Sequence, residues 1–274
     1  MQDNLFCLDN RYYIVTGAAG LLGRQHCEAI LSAQGIPIAI DLNQERLITM
    51  RDELKKIHNR DFPIFACSIT DIVQLNNLKL FLKKSNIFIS GIINNAAINP
   101  TMKNDDQINQ SRLENYDLLQ WDLELDVGLK GSYLVVRTFV DDLLSHKHKG
   151  VIINISSDLG LIAPDQRIYR KGNLPESQQP AKPITYSIIK SGLIGMSKYF
   201  ATYFDGKVRS NALCPGGVEN GQDEEFLKKV KNLIPLGRLA KVDEYKGTLI
   251  YMLSDASAYM NGSVLTIDGG RTAW

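Results

Sequence analysis

Seven short runs of β-branched and apolar residues recur along the chain, each separated from the next by a longer amphipathic stretch. This alternation narrows the possible folds more than any other feature. The strand-like runs are Tyr12–Thr16, Ile36–Ile40, Pro63–Cys67, Phe88–Asn94, Val151–Ser156, Val208–Leu213 and Ser263–Ile267. Helical spacing fills 21–34, 43–57, 71–84, 115–147, 184–205, 222–232 and 241–254. Strands joined through helices pair in parallel, because the return crossover needs that length of chain, and the helices then cover both sheet faces. The expected fold class is α/β, a doubly wound seven-stranded parallel sheet. No linker or repeat breaks the rhythm, so 1–274 reads as a single domain. Only 164–183 departs from it, with Pro, Gly, Gln and charge in no period, and loops of that length are commonly functional.

Composition excludes some classes of partner. Lysine and arginine number 31 against 30 acidic residues, a net charge of +1, which argues against a nucleic-acid partner. No apolar run approaches the ~18 residues of a membrane span, and Asp3 interrupts any leader-like N-terminus. A cytoplasmic protein with no membrane partner is expected. Cys7, Cys27, Cys67 and Cys214 form no CxxC pair and have no histidine at ligand spacing, so they read as reduced thiols with no metal.

The first run leads into Thr16-Gly17-Ala18-Ala19-Gly20-Leu21-Leu22-Gly23 and then into a helix. Glycines at 17, 20 and 23 permit a tight turn, a close backbone approach to a diphosphate and dense helix packing, while the helix N-terminus offers free N–H groups to the anion. This placement predicts a Rossmann-like fold with a dinucleotide site at the turn, over a simple turn with small-residue packing. Asp41 ends the second run, where a carboxylate can accept both ribose hydroxyls and repel a 2′-phosphate, selecting NAD over NADP. The same residue can also cap the following helix.

Tyr186 and Lys190, four apart on one helix, share a face. An ammonium beside a phenol favours the phenolate and suits the tyrosine to general acid/base work. A second YxxxK, Tyr203–Lys207, runs through Gly206 at a helix end and reads as accidental. Ser156-Ser157-Asp158-Leu159-Gly160 and Pro215-Gly216-Gly217 follow two other strands, so all these features meet at the sheet edge where such folds bind ligands.

In order and over nearly the whole chain, TGAAGLLG, NNAA, ISSDLG, YSIIK, NALCPGG and IDGG resemble the short-chain dehydrogenase/reductase family. The resemblance implies that Tyr186 is the acid/base, that Lys190 tunes it and binds the nicotinamide ribose, and that Ser157 hydrogen-bonds the substrate oxygen. It also implies cofactor contacts at Gly17, Gly20, Leu22, Gly23, Asp41, Ser68, Ile69, Asn95, Ala96, Ala97, Pro215, Gly216 and Val218. The family's assembly implies a homotetramer or homodimer through 115–147 and 184–205.

Four departures stand out. The middle glycine is Gly20 where compact members place it at Leu21, a spacing shared with sugar-nucleotide epimerases and dehydratases. Ser68 replaces an aspartate, and Gly128 replaces the asparagine thought to support a helix kink and a water relay to the lysine. The separation of Ser157 and Tyr186 is widened by the 164–183 insertion, whose Arg167, Arg170 and Lys171 could bind a phosphate or carboxylate. Asp158, Asn99 and Arg112 are further polar candidates for the substrate. The pattern is similar to a subgroup linked to bacterial surface-sugar and flagellin modification. An NAD(H)-dependent oxidoreductase acting on a small molecule, an epimerase or dehydratase that retains NAD, and a non-catalytic NAD-binding scaffold all remain open.

Overall fold

The computed structural model describes residues 4–98, 111–145, 149–172 and 174–274. Its strands are β1 (Tyr12–Thr16), β2 (Ile36–Asp41), β3 (Ile64–Ala66), β4 (Ile89–Asn94), β5 (Gly150–Ile155), β6 (Val208–Pro215) and β7 (Val264–Ile267). Each falls within two residues of its expected run. They form one seven-stranded sheet of order β3-β2-β1-β4-β5-β6-β7, parallel at every pairing. The order reverses between β1 and β4, and the crevice at such a reversal is where doubly wound sheets take their ligands.

Helices α1 (Leu21–Ser32), α2 (Gln44–His58), α3 (Ile72–Lys84), α4 (Leu118–Leu125), α5 (Ser132–Ser145), α6 (Ile184–Tyr203), α7 (Glu224–Lys231) and α8 (Lys246–Leu253) make the outer layers. The period of two along the strands feeds two separate cores. Tyr13, Val15, Val151, Ile153 and Ile155 join α1, α2 and α8 on one face. Ile14 and Ile152 join α3, α5 and the end of α6 on the other. Side-chain caps set several helix starts: Asn43 accepts from Arg46 N, Asp71 from Val73 N and Asp223 from Phe226 N. Asp117 does the same for Leu119 N, so the helix expected from 115 begins at Leu118.

Between α4 and α5 the helix widens into a π turn over Asp126–Gly131. The reason is visible at Gly128. A Cβ there would lie 2.5 Å from Ile189 Cγ2, so α6 occupies the room that a side chain at 128 would need. The Ser132 hydroxyl donates to the Gly128 carbonyl at 3.0 Å and takes up an acceptor within the turn. The helix is therefore widened at this position without an asparagine. Gly128→Asn is expected to lower stability by about 1–3 kcal/mol through overpacking, and Ile189→Ala in the same chain to restore most of it. Urea denaturation of the single and double variants reads the coupling.

Candidate active site

The glycine turn is built by steric exclusion. Gly17 has φ +62°, and a Cβ on it would meet Ala96 Cα at 2.8 Å. A Cβ on Gly23 would lie 2.1 Å from the Gly17 carbonyl oxygen, so only glycine lets α1 start this close to β1. Gly20 is the N-cap of α1 and is extended, no side chain caps the helix, and its first turn holds no acidic residue. That leaves backbone donors and the positive end of the helix dipole for an anion, and the residues present fit a dinucleotide diphosphate.

The neighbouring residues divide into those that brace the turn and those left for a ligand. Asn95 braces it: its side-chain amide donates to Thr16 O at 3.0 Å and Gly17 O at 3.2 Å. The backbone N–H groups of Asn95 and Ala96 donate to the Thr16 hydroxyl at 3.0 and 3.1 Å. The Asn95 side chain, expected along the ribose, is thus turned behind the turn, and Ala96 and Ala97 continue the rim. Asp41 accepts Ala19 N–H on one oxygen at 3.0 Å and Asn43 N–H on the other at 3.2 Å. Each carboxylate oxygen retains a second lone pair for a ribose hydroxyl. The Ser68 hydroxyl is bonded to that of Thr70 at 2.9 Å, while the side chain of Ile69 packs where a Cβ on Gly131 would sit.

At the far side of the crevice, Gly216 N–H donates to Ile267 O at 2.9 Å and the Tyr245 hydroxyl donates to Gly216 O at 3.0 Å. A Cβ on Gly216 would lie 2.8 Å from Asp268 Cα, which explains the glycine after Pro215. Val218 then bridges to Ala240.

Between these two turns lie the chemical groups. The Ser156 hydroxyl donates to Lys190 O at 2.6 Å, so the first serine of the pair is spent on docking α6. A Cβ on Gly160 would come within 2.9 Å of the same carbonyl, which explains the glycine three residues after Ser157. The Ser157 hydroxyl stands near enough to Tyr186 to lower its phenol's pKa. Burial raises the Tyr186 phenol above its ordinary value, while the Ser157 hydrogen bond and Arg271 pull it down. Lys190 Nζ donates to Ile155 O at 2.9 Å and lies 5.6 Å from the Tyr186 ring centre. Burial lowers its pKa to about 8, with Lys182 adding to the effect.

Several expected substrate contacts are engaged by neighbouring groups. The Asp158 carboxylate faces its own neighbours, accepting from Ser157 Oγ at 2.7 Å, Leu159 N–H at 2.8 Å and Arg271 at 3.1 Å. It orients the serine and is itself neutralised by a buried arginine. Arg167 is 81% exposed and paired with Asp165 at 2.7 Å, and Arg170 pairs with Glu176 at 2.8 Å, so each is engaged by a carboxylate of its own loop. Arg112 anchors that loop by donating to Glu176 O at 2.8 Å and Gln179 O at 3.1 Å. Asn99 lies outside the described residues.

The insertion docks firmly on α7. Its Ile168 is buried with Val230, Ile234 and Leu239, and Tyr169 packs on Phe226 with ring centres 5.8 Å apart. Three charged residues not singled out in the sequence belong to this centre: Arg271, Lys182 and Glu124. Lys182 stands 3.9 Å above the Tyr186 ring centre. Glu124, buried on α4, accepts from the Tyr116 hydroxyl at 2.7 Å and from Gln120 at 2.7 Å, and also bonds the Thr185 hydroxyl. Their only sequence signal is charge within otherwise apolar or irregular segments.

A model of the family described as short chain dehydrogenase matches residues 11–169, more than half of the chain. The chain belongs to the short-chain dehydrogenase/reductase family. A second model, described as Enoyl-(Acyl carrier protein) reductase, matches residues 176–272. The post-translational flagellin modification protein A of Campylobacter coli is 29% identical over 266 residues, covering 96% of this chain and 98% of its own. The D-threitol dehydrogenase of Mycolicibacterium smegmatis is 27% identical over 276 residues, covering 97% and 95%. A crystal structure of a gluconate 5-dehydrogenase from Burkholderia cenocepacia, in complex with NADP and tartrate, superposes with TM-score 0.84 at 22% identity over 98% of both chains. The chain is thus an oxidoreductase of this family with a dinucleotide-binding fold. Among the described residues no helix is long and apolar enough to cross a membrane.

Proposed function

We propose that the chain is an NAD(H)-dependent oxidoreductase that interconverts a secondary alcohol and a ketone on a sugar or sugar-derived small molecule. The observation that carries this reading is the meeting of Ser157, Tyr186 and Lys190 at one rim, beside a glycine turn shaped for a diphosphate. The bound nicotinamide would accept or supply the hydride. Ser157, oriented by Asp158, hydrogen-bonds the substrate oxygen, and Tyr186 takes or returns its proton. Lys190, fixed to the Ile155 carbonyl, favours the phenolate while it remains charged, below its pKa of about 8. The sugar reading is supported by the two relatives, one named for flagellin modification and the other for D-threitol.

Asp41 supports NAD. Its open lone pairs suit ribose hydroxyls, and its charge opposes a 2′-phosphate. A fold neighbour is in complex with NADP, so the NAD reading rests on this carboxylate and not on the fold. Exposed apolar side chains on and beside α4 and on α6, Leu113, Leu118, Leu119, Tyr199 and Tyr203, support a homodimer or homotetramer closed through these helices.

An NADH-coupled screen of phosphorylated and nucleotide-linked sugars, amino sugars included, should find turnover. Tyr186→Phe is expected to reduce it by about 10²-fold or more with NADH binding intact; retained turnover rejects the assignment. Turnover without net change in NADH would instead indicate an epimerase or dehydratase cycle. The kcat/KM with NADH should exceed that with NADPH by about tenfold or more, about 1.4 kcal/mol, and Asp41→Asn should shrink the ratio; a wild-type preference for NADPH sinks the NAD reading. Light scattering should give a dimer or tetramer that Leu119→Glu weakens, and a monomeric wild type would contradict the interface.

A further inference from the structure

Tyr186 has a second lysine beside it. Lys182 Nζ stands 3.9 Å from the centre of the phenol ring, nearer than Lys190 at 5.6 Å. The approach is over the ring face, where a cation is attracted even to the neutral phenol. Lys182 comes from the end of the insertion and not from α6. Its N–H donates to Gln166 Oε1 at 2.8 Å, and its carbonyl accepts from Gln166 Nε2 at 3.4 Å. Its neighbour Ala181 donates to the Ser111 hydroxyl at 3.0 Å, and Pro183 is the N-cap of α6. The backbone at 182 is therefore tied to the insertion, to the segment before α4 and to the catalytic helix at once.

We propose that Lys182 is a positioning residue that acts through Tyr186, a second ammonium that stabilises the phenolate and couples its acid strength to the docking of the insertion. The proposal rests on Tyr186 being the acid/base of the reaction. The groups around the phenol are Ser157 and Asp158 from the rim after β5, Tyr169 from the insertion, Arg271 from the C-terminal turn and Lys190 from α6. Cys214 on β6 faces Lys190, and Glu124 on α4 acts on Lys182.

Arg271, which also lowers the phenol, is paired with Asp158, and Lys182 and Lys190 are the cations that stand over the ring itself. Burial lowers both lysines to about 8, and Lys190 is further lowered by Lys182. Glu124 and Asp158 pull the other way at Lys182 and favour its ammonium. An ammonium over the ring face is favoured further when the phenol ionises. The sign follows: removing the charge at 182 makes the phenol a weaker acid.

The test needs no substrate. The ultraviolet difference titration of a protein against its Tyr186→Phe counterpart isolates this one phenol among the 11 tyrosines. Lys182→Arg, whose charge persists through the range in which the phenol ionises, is expected to place the midpoint about one pH unit below that of Lys182→Met and Lys182→Gln, a tenfold difference in the ionisation constant. The wild type, whose Lys182 loses its proton near pH 8, should fall at or between these limits. Thermal unfolding and NADH affinity check that each variant is folded. A folded Arg variant whose midpoint matches those of the Met and Gln variants overturns the proposal. A Tyr186→Phe enzyme that still turned over would defeat the assigned reaction and leave this titration readable, so the two failures are distinct.

Discussion

The approach of the rim after β5 to the second turn of α6 is the contact on which the site depends. The Ser156 hydroxyl meets the Lys190 carbonyl at 2.6 Å, and Gly160 passes so close that a methyl group would strike the same peptide. Leaving one member of such a buried pair unsatisfied costs about 1–3 kcal/mol, so the register between strand and helix has little freedom. That register places Ser157 beside Tyr186 and lets Lys190 reach back to the Ile155 carbonyl. Three residues from two distant segments become one centre because a fourth, Ser156, clamps their backbones.

The parallel sheet supplies the frame for that clamp. Strands β4, β5 and β6 are buried along their whole length, and their alternating side chains fill two separate cores. With both faces covered, the glycine turn, the serine rim and the Pro215-Gly216 turn lie together at the C-terminal edge of the strands. Packing also settles the departure at Gly128. Ile189 fills the place of the missing side chain, and the helix accommodates the exchange with a π turn.

Much of this was legible in the residues. Seven runs gave seven parallel strands, and the spacings of Gly17, Gly23 and Gly160 corresponded to real close approaches. That Tyr186 and Lys190 share a face followed from helical periodicity, and choosing them over Tyr203–Lys207 took the context of the serine rim and the Pro215-Gly216 turn. Orientation was not legible. Asn95 and Asp158 carry suitable chemistry, yet Asn95 braces the glycine turn and Asp158 orients Ser157 against Arg271. Arg167 and Arg170, charged and well placed along the chain, are engaged by carboxylates of their own loop.

The sequence by itself determined the sheet, the glycine turn and the tyrosine–lysine pair, because each follows from a local rule of periodicity, backbone conformation or helical spacing. Only the tertiary structure decided where the insertion goes. Its apolar Ile168 and Tyr169 find partners on α7, about 60 residues further along the chain, and no local period encodes such a distant contact. That docking sets Lys182 over the Tyr186 ring. Charges brought together through long-range packing leave no signature in spacing, which is why the second lysine emerged from the fold and not from the motif.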